Sequence, residues 1–291
     1  MPADIFTPKP SWLKTSIPGG ALYRKVVSVI KKYHLNTVCE SAACPNRAEC
    51  WGDNGCASIL ILGSNCTRNC QFCNVETAVP QSINTQEPAG IAAAVNDLSL
   101  AYVIITSVTR DDLSDGGAGQ WAATISHIIR ECSQTKVEVL VPDFSGDINA
   151  HKKIIACQPA VYGHNIETVQ SLYSAMRPHA DYRQSLFVLK KVKEIAPSLI
   201  TKSAVMVGLG ESYTEIKEVL SDLLLSRVDI VHIGQYLQPS RKHAPVQKYY
   251  HPDEFHELEV LARQMGFKAV QSAPLVRSSY NAEASYRSIV Q

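Results

Sequence analysis

The sequence predicts an α/β fold built from parallel βαβ units. Short apolar runs rich in Val and Ile occur at 58–62, 102–108, 136–141, 160–165, 200–207 and 229–236. Amphipathic helical patterns lie between and after them, at 89–99, 119–132, 149–157, 167–176, 182–195, 212–226 and 252–265. The runs are too far apart for hairpins, so each connection is long enough for a parallel crossover. At 291 residues the chain is also long enough for one large core. Two architectures fit, a partial barrel of six units and a doubly wound sheet. The first run leads directly into a cysteine-rich loop, and barrels collect their sites on loops at the C-terminal ends of strands.

Composition narrows the function. Apolar residues make up 45% and charged residues 19%, the balance of a globular protein. With 28 basic and 27 acidic side chains the net charge is +1, so no broad field recruits nucleic acid or an anionic membrane. No window approaches the roughly 18 uninterrupted apolar residues of a spanning helix. The opening MPADIFTPKPSWLK shows no signal or transit pattern, and a cytoplasmic setting is expected. Nine cysteines, an odd number, cannot all pair within one chain, and thiols clustered in a reducing compartment point to metal or catalysis.

Residues 1–57 form a leading segment with one expected helix near 22–33. Cys39, Cys44 and Cys50 sit within it, in the run CESAACPNRAECW. Such an irregular segment gains order from a metal. A second set, Cys66, Cys70 and Cys73, falls within the eight residues CTRNCQFC. Three readings fit that spacing: a zinc site completed by a distant His, a group of buried thiols, or a 4Fe-4S cube with three protein ligands and one open iron.

Other loops carry polar groups at strand ends. VTRDDLSDGGAGQW after the second run is a turn into a helix that also suits a small charged ligand. GHNIETV after the fourth holds Asn165 and Glu167, which read either as ribose partners or as a helix cap with its first-turn acid. Arg177 suits a carboxylate. Near the end, PLVRSSY reads physically as a turn with hydroxyl caps. Cys132 and Cys157 read as small core residues, and Cys56 has no assigned role.

CTRNCQFC, with Phe72 before its third cysteine, resembles the signature of the radical S-adenosylmethionine (SAM) superfamily. Nearly the whole chain resembles one family within it, the lipoyl synthases. KPSWLK, CESAACPNRAECW, ITSVTRDDLSDGGAG, NIETV, RPHADYRQSL, MVGLGE, IGQYLQPS and PLVRSSY carry the likeness. Biotin synthase-like or methylthiotransferase-like enzymes would keep the 66–73 loop but leave RSSY and the 39–50 set unexplained. A metal-stabilised binding module would not need polar loops after several strands.

The resemblance implies a partial (β/α)6 barrel over 58–236, flanked by extensions 1–57 and 237–291 that close its mouth. Cys66, Cys70 and Cys73 would hold a SAM-binding 4Fe-4S cluster. Cys39, Cys44 and Cys50 would hold an auxiliary one, with Ser279 as its fourth ligand and Ser278 the adjacent alternative. Phe72, Thr106, Ser107, Asn165, Glu167, Arg177, Gly208 and Glu211 would line the SAM site. Ala204 and Met206 depart from the family's strand-five pattern, and Asn281 follows RSSY where a histidine is common. The implied reaction inserts two sulfur atoms into an octanoyl-lysine on a lipoyl domain or H protein. A ferredoxin- or flavodoxin-type reductant and an iron–sulfur cluster carrier are the implied partners.

Overall fold

The computed structural model describes residues 9–53 and 55–291; residues 1–8 and Asn54, part of the leading segment, lie outside the described residues. Seven parallel strands form one sheet: β1 (Ser58–Ile61), β2 (Tyr102–Ser107), β3 (Lys136–Leu140), β4 (Val161–Gly163), β5 (Ile200–Val207), β6 (Ile230–Gln235) and β7 (Ala269–Ala273). They neighbour one another in chain order. A doubly wound sheet reverses its strand order at a switch point, so the unbroken order decides for the barrel. Asn36–Thr37 adds a short antiparallel edge to β1.

Six of these strands coincide with the expected runs. The seventh was not expected, because AVQSA offers only one β-branched residue and is half polar. It lies within the segment 237–291, yet extends the sheet by five register pairs with β6. One expected helix is absent. Residues 167–176 instead begin with Glu167 in the left-handed region (φ 68°) and continue as the short turns Gln170–Leu172 and Tyr173–Met176. Glu167 is therefore not a first-turn acid. Its N–H donates to Ala204 and its carbonyl accepts from Met206, an isolated bridge that prolongs the pairing beside β5.

The other helices form where local signals place them. Ser212 and Glu215 cap Tyr213–Leu225 reciprocally, Pro252 opens Pro252–Met265, and Asp181 caps Tyr182–Ile195. Their apolar faces cover the outside of the barrel in two clusters, one around β1–β3 and one around β5–β7.

The barrel's interior is occupied by the trailing segment. Pro274 accepts the Gln235 N–H at the top of β6, and the Arg277 carbonyl bonds His232 further down. The helix Ala282–Val290 then ends among strand starts. Tyr286 packs with Tyr102, Val161, Ile200, Ile230 and Ala269, the first residues of β2, β4, β5, β6 and β7. Part of the trailing extension, at His243 and Ala244, bonds the cysteine loop at the barrel mouth, and the part around RSSY meets the leading extension lower down. The trailing helix closes the barrel floor, because an incomplete barrel leaves apolar strand starts that need a cover.

Gly234 makes that path possible. A Cβ there would lie 2.0 Å from the Val276 carbonyl oxygen and 2.9 Å from its carbon. Both atoms are backbone, so neither can rotate away. Gly234→Ala should destabilise the fold by about 1–3 kcal/mol, the usual cost of overpacking. Denaturant unfolding checks this, and a midpoint equal to wild type would show that the segment is not fixed against β6.

Candidate functional site

A cavity of about 490 Å³ runs through the barrel. Cys39, Cys44, Cys50, Cys66, Cys70, Cys73, Ser278 and Ser279 all line it. The two cysteine sets occupy opposite ends. Cys66 receives the N–H of Thr109, just beyond the C-terminal end of β2. Cys39 lies against Ser58, the first residue of β1. Between them the wall carries Leu60, Leu140, Ala204, Met206, Gly234 and Val276.

The upper loop is fixed by backbone bonds on every side. Thr67 N–H donates to the Thr109 carbonyl, Gln71 N–H to Met176, and Ala244 N–H to the Gln71 carbonyl. The Cys73 carbonyl accepts from His243 at 3.0 Å. Cys66 sulfur accepts two backbone N–H groups, from Arg68 and Thr109, each at 3.4 Å. Burial pushes the Cys70 thiol up, against the nearby Arg177 charge, and pushes Cys73 up to about 12. A metal would have to displace those protons.

Arg68, within CTRNC, anchors this loop. It is 7% exposed and clasps Asp111 through two bonds of 2.9 Å, while donating to Asp143 at 2.9 Å. Burial pushes the Asp143 carboxyl up, but the Arg68 hydrogen bonds and charge outweigh it and hold the group well below the usual range. The loop that supplies Asp111 thus acts as a buttress. Its Asp115 likewise accepts the N–H groups of Gly117 and Gly119.

Six of the eight residues expected around SAM line the cavity: Phe72, Thr106, Ser107, Asn165, Glu167 and Arg177. Gly208 and Glu211 do not. Glu211 accepts the N–H groups of Gly208 and Leu209, at 2.6 and 2.9 Å, and so shapes its own turn. Gly208 has φ 104° and lies tight against Gln235 and the Lys248 carbonyl. The same turn carries Leu209, which packs with Phe72. Arg177 donates to the Asn165 carbonyl and the Tyr173 hydroxyl, and Asn165 donates to Glu167 at 3.0 Å. His164, which the sequence placed only at a strand end, donates from Nδ1 to Val141 and turns Nε2 free. Burial, with Arg177 nearby, lowers its pKa to about 4, so it stays neutral.

At the lower end, Cys39 sits on the short helix Val38–Ser41, Cys50 on Arg47–Gly52, and Cys44 between them. Three bonds tie this set to the rest. Asn46 donates to the Leu275 carbonyl at 2.6 Å, Tyr280 to Glu49 at 2.9 Å, and Asn74 to the Ser41 carbonyl at 2.7 Å. The first two bring PLVRSSY to the 39–50 loop across more than 200 residues, which no local pattern reveals. Trp51 is fully buried beneath the set, its indole N–H facing Cys39.

These residues fit two iron–sulfur clusters and SAM. Among the described residues no three Cys, His, Asp or Glu side chains converge on one point, as a single ion needs. Each cysteine set instead faces the cavity from separate backbone positions, which suits a cube whose irons are each held by a different thiolate. Six buried polar atoms of the described residues have no partner, among them Asn165 Oδ1, Arg177 Nε, His164 Nε2 and Trp51 Nε1. Buried polar atoms are ordinarily paired. Asn165 and Arg177 offer an acceptor and a cation beside Cys70, matching an amino group and a carboxylate.

Fold and thiol loop together define a radical SAM protein, and residues 60–223 match the radical SAM superfamily. The fold is similar to Streptococcus suis SuiB bound to S-adenosylmethionine (TM-score 0.59, 12% identity, 91% of this chain and 58% of that one). It is also similar to methylornithine synthase (TM-score 0.53, 12% identity, 96% and 88%). At such identities the likeness concerns the fold alone. Residues 7–44 match the N-terminal domain of lipoyl synthase of the radical SAM family. Lipoyl synthase of Caldicellulosiruptor saccharolyticus is 50% identical over 283 residues, 97% of this chain and 99% of that protein. Lipoyl synthase of Caldicellulosiruptor bescii is 49% identical over 275 residues, 94% of each. The chain belongs to the lipoyl synthase family.

The Arg68 clamp gives a pH-dependent prediction. Asp143 has a depressed folded pKa, so its stabilisation is complete above the ordinary carboxyl value near 4 and fades as pH falls below it. Asp143→Ala should cost about 3–5 kcal/mol at neutral pH, as for other broken buried pairs. It should also flatten the loss of stability between about pH 5 and pH 3. Unfolding midpoints across that range test it, and parallel slopes in the two proteins would contradict it.

Proposed function

We infer that the chain is a sulfurtransferase that inserts two sulfur atoms, at carbons 6 and 8 of a protein-bound octanoyl-lysine, to give lipoyl-lysine. The observation that carries this reading is the placement of two three-cysteine sets at opposite ends of one cavity with an apolar wall between them. Membership of the lipoyl synthase family supports it.

Unactivated methylene and methyl carbons offer no purchase to a side-chain acid, base or nucleophile, so such chemistry belongs to a cofactor. When bound, the upper cluster with SAM supplies a 5′-deoxyadenosyl radical, and the lower cluster supplies sulfur and is consumed. Cys66, Cys70 and Cys73 would hold the first. Cys39, Cys44, Cys50 and Ser279 would hold the second. Asn165 and Arg177 would orient the polar groups of SAM, with Phe72, Thr106, Ser107, Glu167 and neutral His164 around it. Leu60, Leu140, Met206 and Val276 would receive the alkyl chain. The Ala282–Val290 plug would exclude water from the floor.

The substrate is an octanoylated carrier, a lipoyl domain or H protein. A ferredoxin- or flavodoxin-type reductant and a cluster carrier complete the proposed partners, in a cytoplasmic setting. No helix of the described residues is long and apolar enough to cross a membrane.

Anaerobic reconstitution should yield about eight iron and eight sulfide per chain, two 4Fe-4S cubes. Adding SAM, dithionite and an octanoyl-lysine peptide should then yield lipoyl-lysine. 5′-Deoxyadenosine without lipoyl product would retain the radical enzyme and discard this substrate. A serine oxygen is a harder ligand than a thiolate and suits an iron that must leave. Ser279→Cys should therefore keep its iron but lose turnover, and normal product formation by that variant would reject the role.

A further inference from the structure

Cys56 belongs to neither three-cysteine set, yet it lines the same cavity. Its N–H donates to the Cys50 carbonyl at 2.9 Å, which fixes its backbone against the third cysteine of the leading set. Two residues on, Ser58 begins β1 and also lines the cavity. Ser58 is the residue against which Cys39 lies, and Cys56 is itself a near neighbour of Cys39. Cys56 is thus bracketed by Cys50 through the backbone and by Cys39. A second observation marks this wall as ligand-facing. Trp51, 0% exposed, turns an unpartnered indole N–H towards Cys39. N–H groups directed at cluster sulfur tune iron–sulfur centres.

We propose that Cys56 is a reserve iron ligand of the auxiliary site, able to take the iron that Ser279 releases. The inference rests on the reading of Cys39, Cys44, Cys50 and Ser279 as that site. In the exchange an Fe–O bond to Ser279 breaks and an Fe–S bond to Cys56 forms. The thiol proton passes to the serine oxygen, and no electron is transferred. The consequence is a second resting state, with four thiolates from residues 39–56 and none from the trailing segment. In that state the leading segment holds a cluster whether or not RSSY is in place. It would accept a cluster before the trailing segment docks, and keep iron after Ser279 lets go.

The test uses the full chain with Cys66, Cys70 and Cys73 replaced by Ala, so that only the auxiliary site can be filled. Iron is counted after anaerobic reconstitution, and Mössbauer spectra report ligand type. The parent should hold about four irons. Ser279→Ala should also hold about four, with the distinct oxygen-ligated iron replaced by a sulfur-ligated one. Cys56→Ala with Ser279 intact should match the parent, which shows that the thiol is not needed for folding. The double variant should fall to three irons or fewer. Equal iron in the Ser279→Ala protein and the double variant would overturn the role of Cys56 and leave the auxiliary site standing. Loss of iron in Cys56→Ala alone would overturn it too, by making the thiol structural. A parent with no cluster would overturn both the site and the proposal.

Discussion

The carbonyl of Val276 lies where a side chain of β6 would otherwise stand, and most of the site depends on that contact. An incomplete barrel has an interior that its own strand side chains do not fill. Here the trailing segment enters beside Gly234, bonds down the inner face of β6, and ends as a helix against the strand starts. This gives the cavity a floor. It also carries Ser278 and Ser279 to the cysteines of the leading segment, held there by Asn46, Glu49 and Tyr280. Without the close approach at Gly234 the serines would have no fixed place.

The two ends of the cavity are built differently. The upper loop is clamped by main-chain bonds and by one buried arginine between two carboxylates, so its thiols sit on a rigid frame. The lower set rests on short helices and turns, joined to the barrel by a few side-chain bonds. Local stability follows the density of such contacts.

The sequence made much of this legible. Periodicity located six strands and most helices, because parallel strands are apolar on both faces and their helices carry local caps. It missed β7, whose five residues are half polar and are held mainly by pairing with β6. It placed a helix at 167–176, where Glu167 is drawn into a bridge with β5 by bonds to Ala204 and Met206. It expected Gly208 and Glu211 to line the SAM site, but hydrogen bonds within their own turn keep them from the cavity. Arg68 was overlooked although it lies inside CTRNC, since its two carboxylates come from loops 43 and 75 residues away.

What the sequence determined by itself was chemical: six thiols in two spacings, the parallel α/β class, and the capped helices. Each depends on residues close together in the chain. The tertiary structure alone decided that the two thiol sets line one largely apolar cavity, that RSSY descends into the barrel, and that Cys56 lines the same cavity. Those depend on contacts between segments up to 231 residues apart. Their energy comes from packing and burial in three dimensions, which no local spacing encodes.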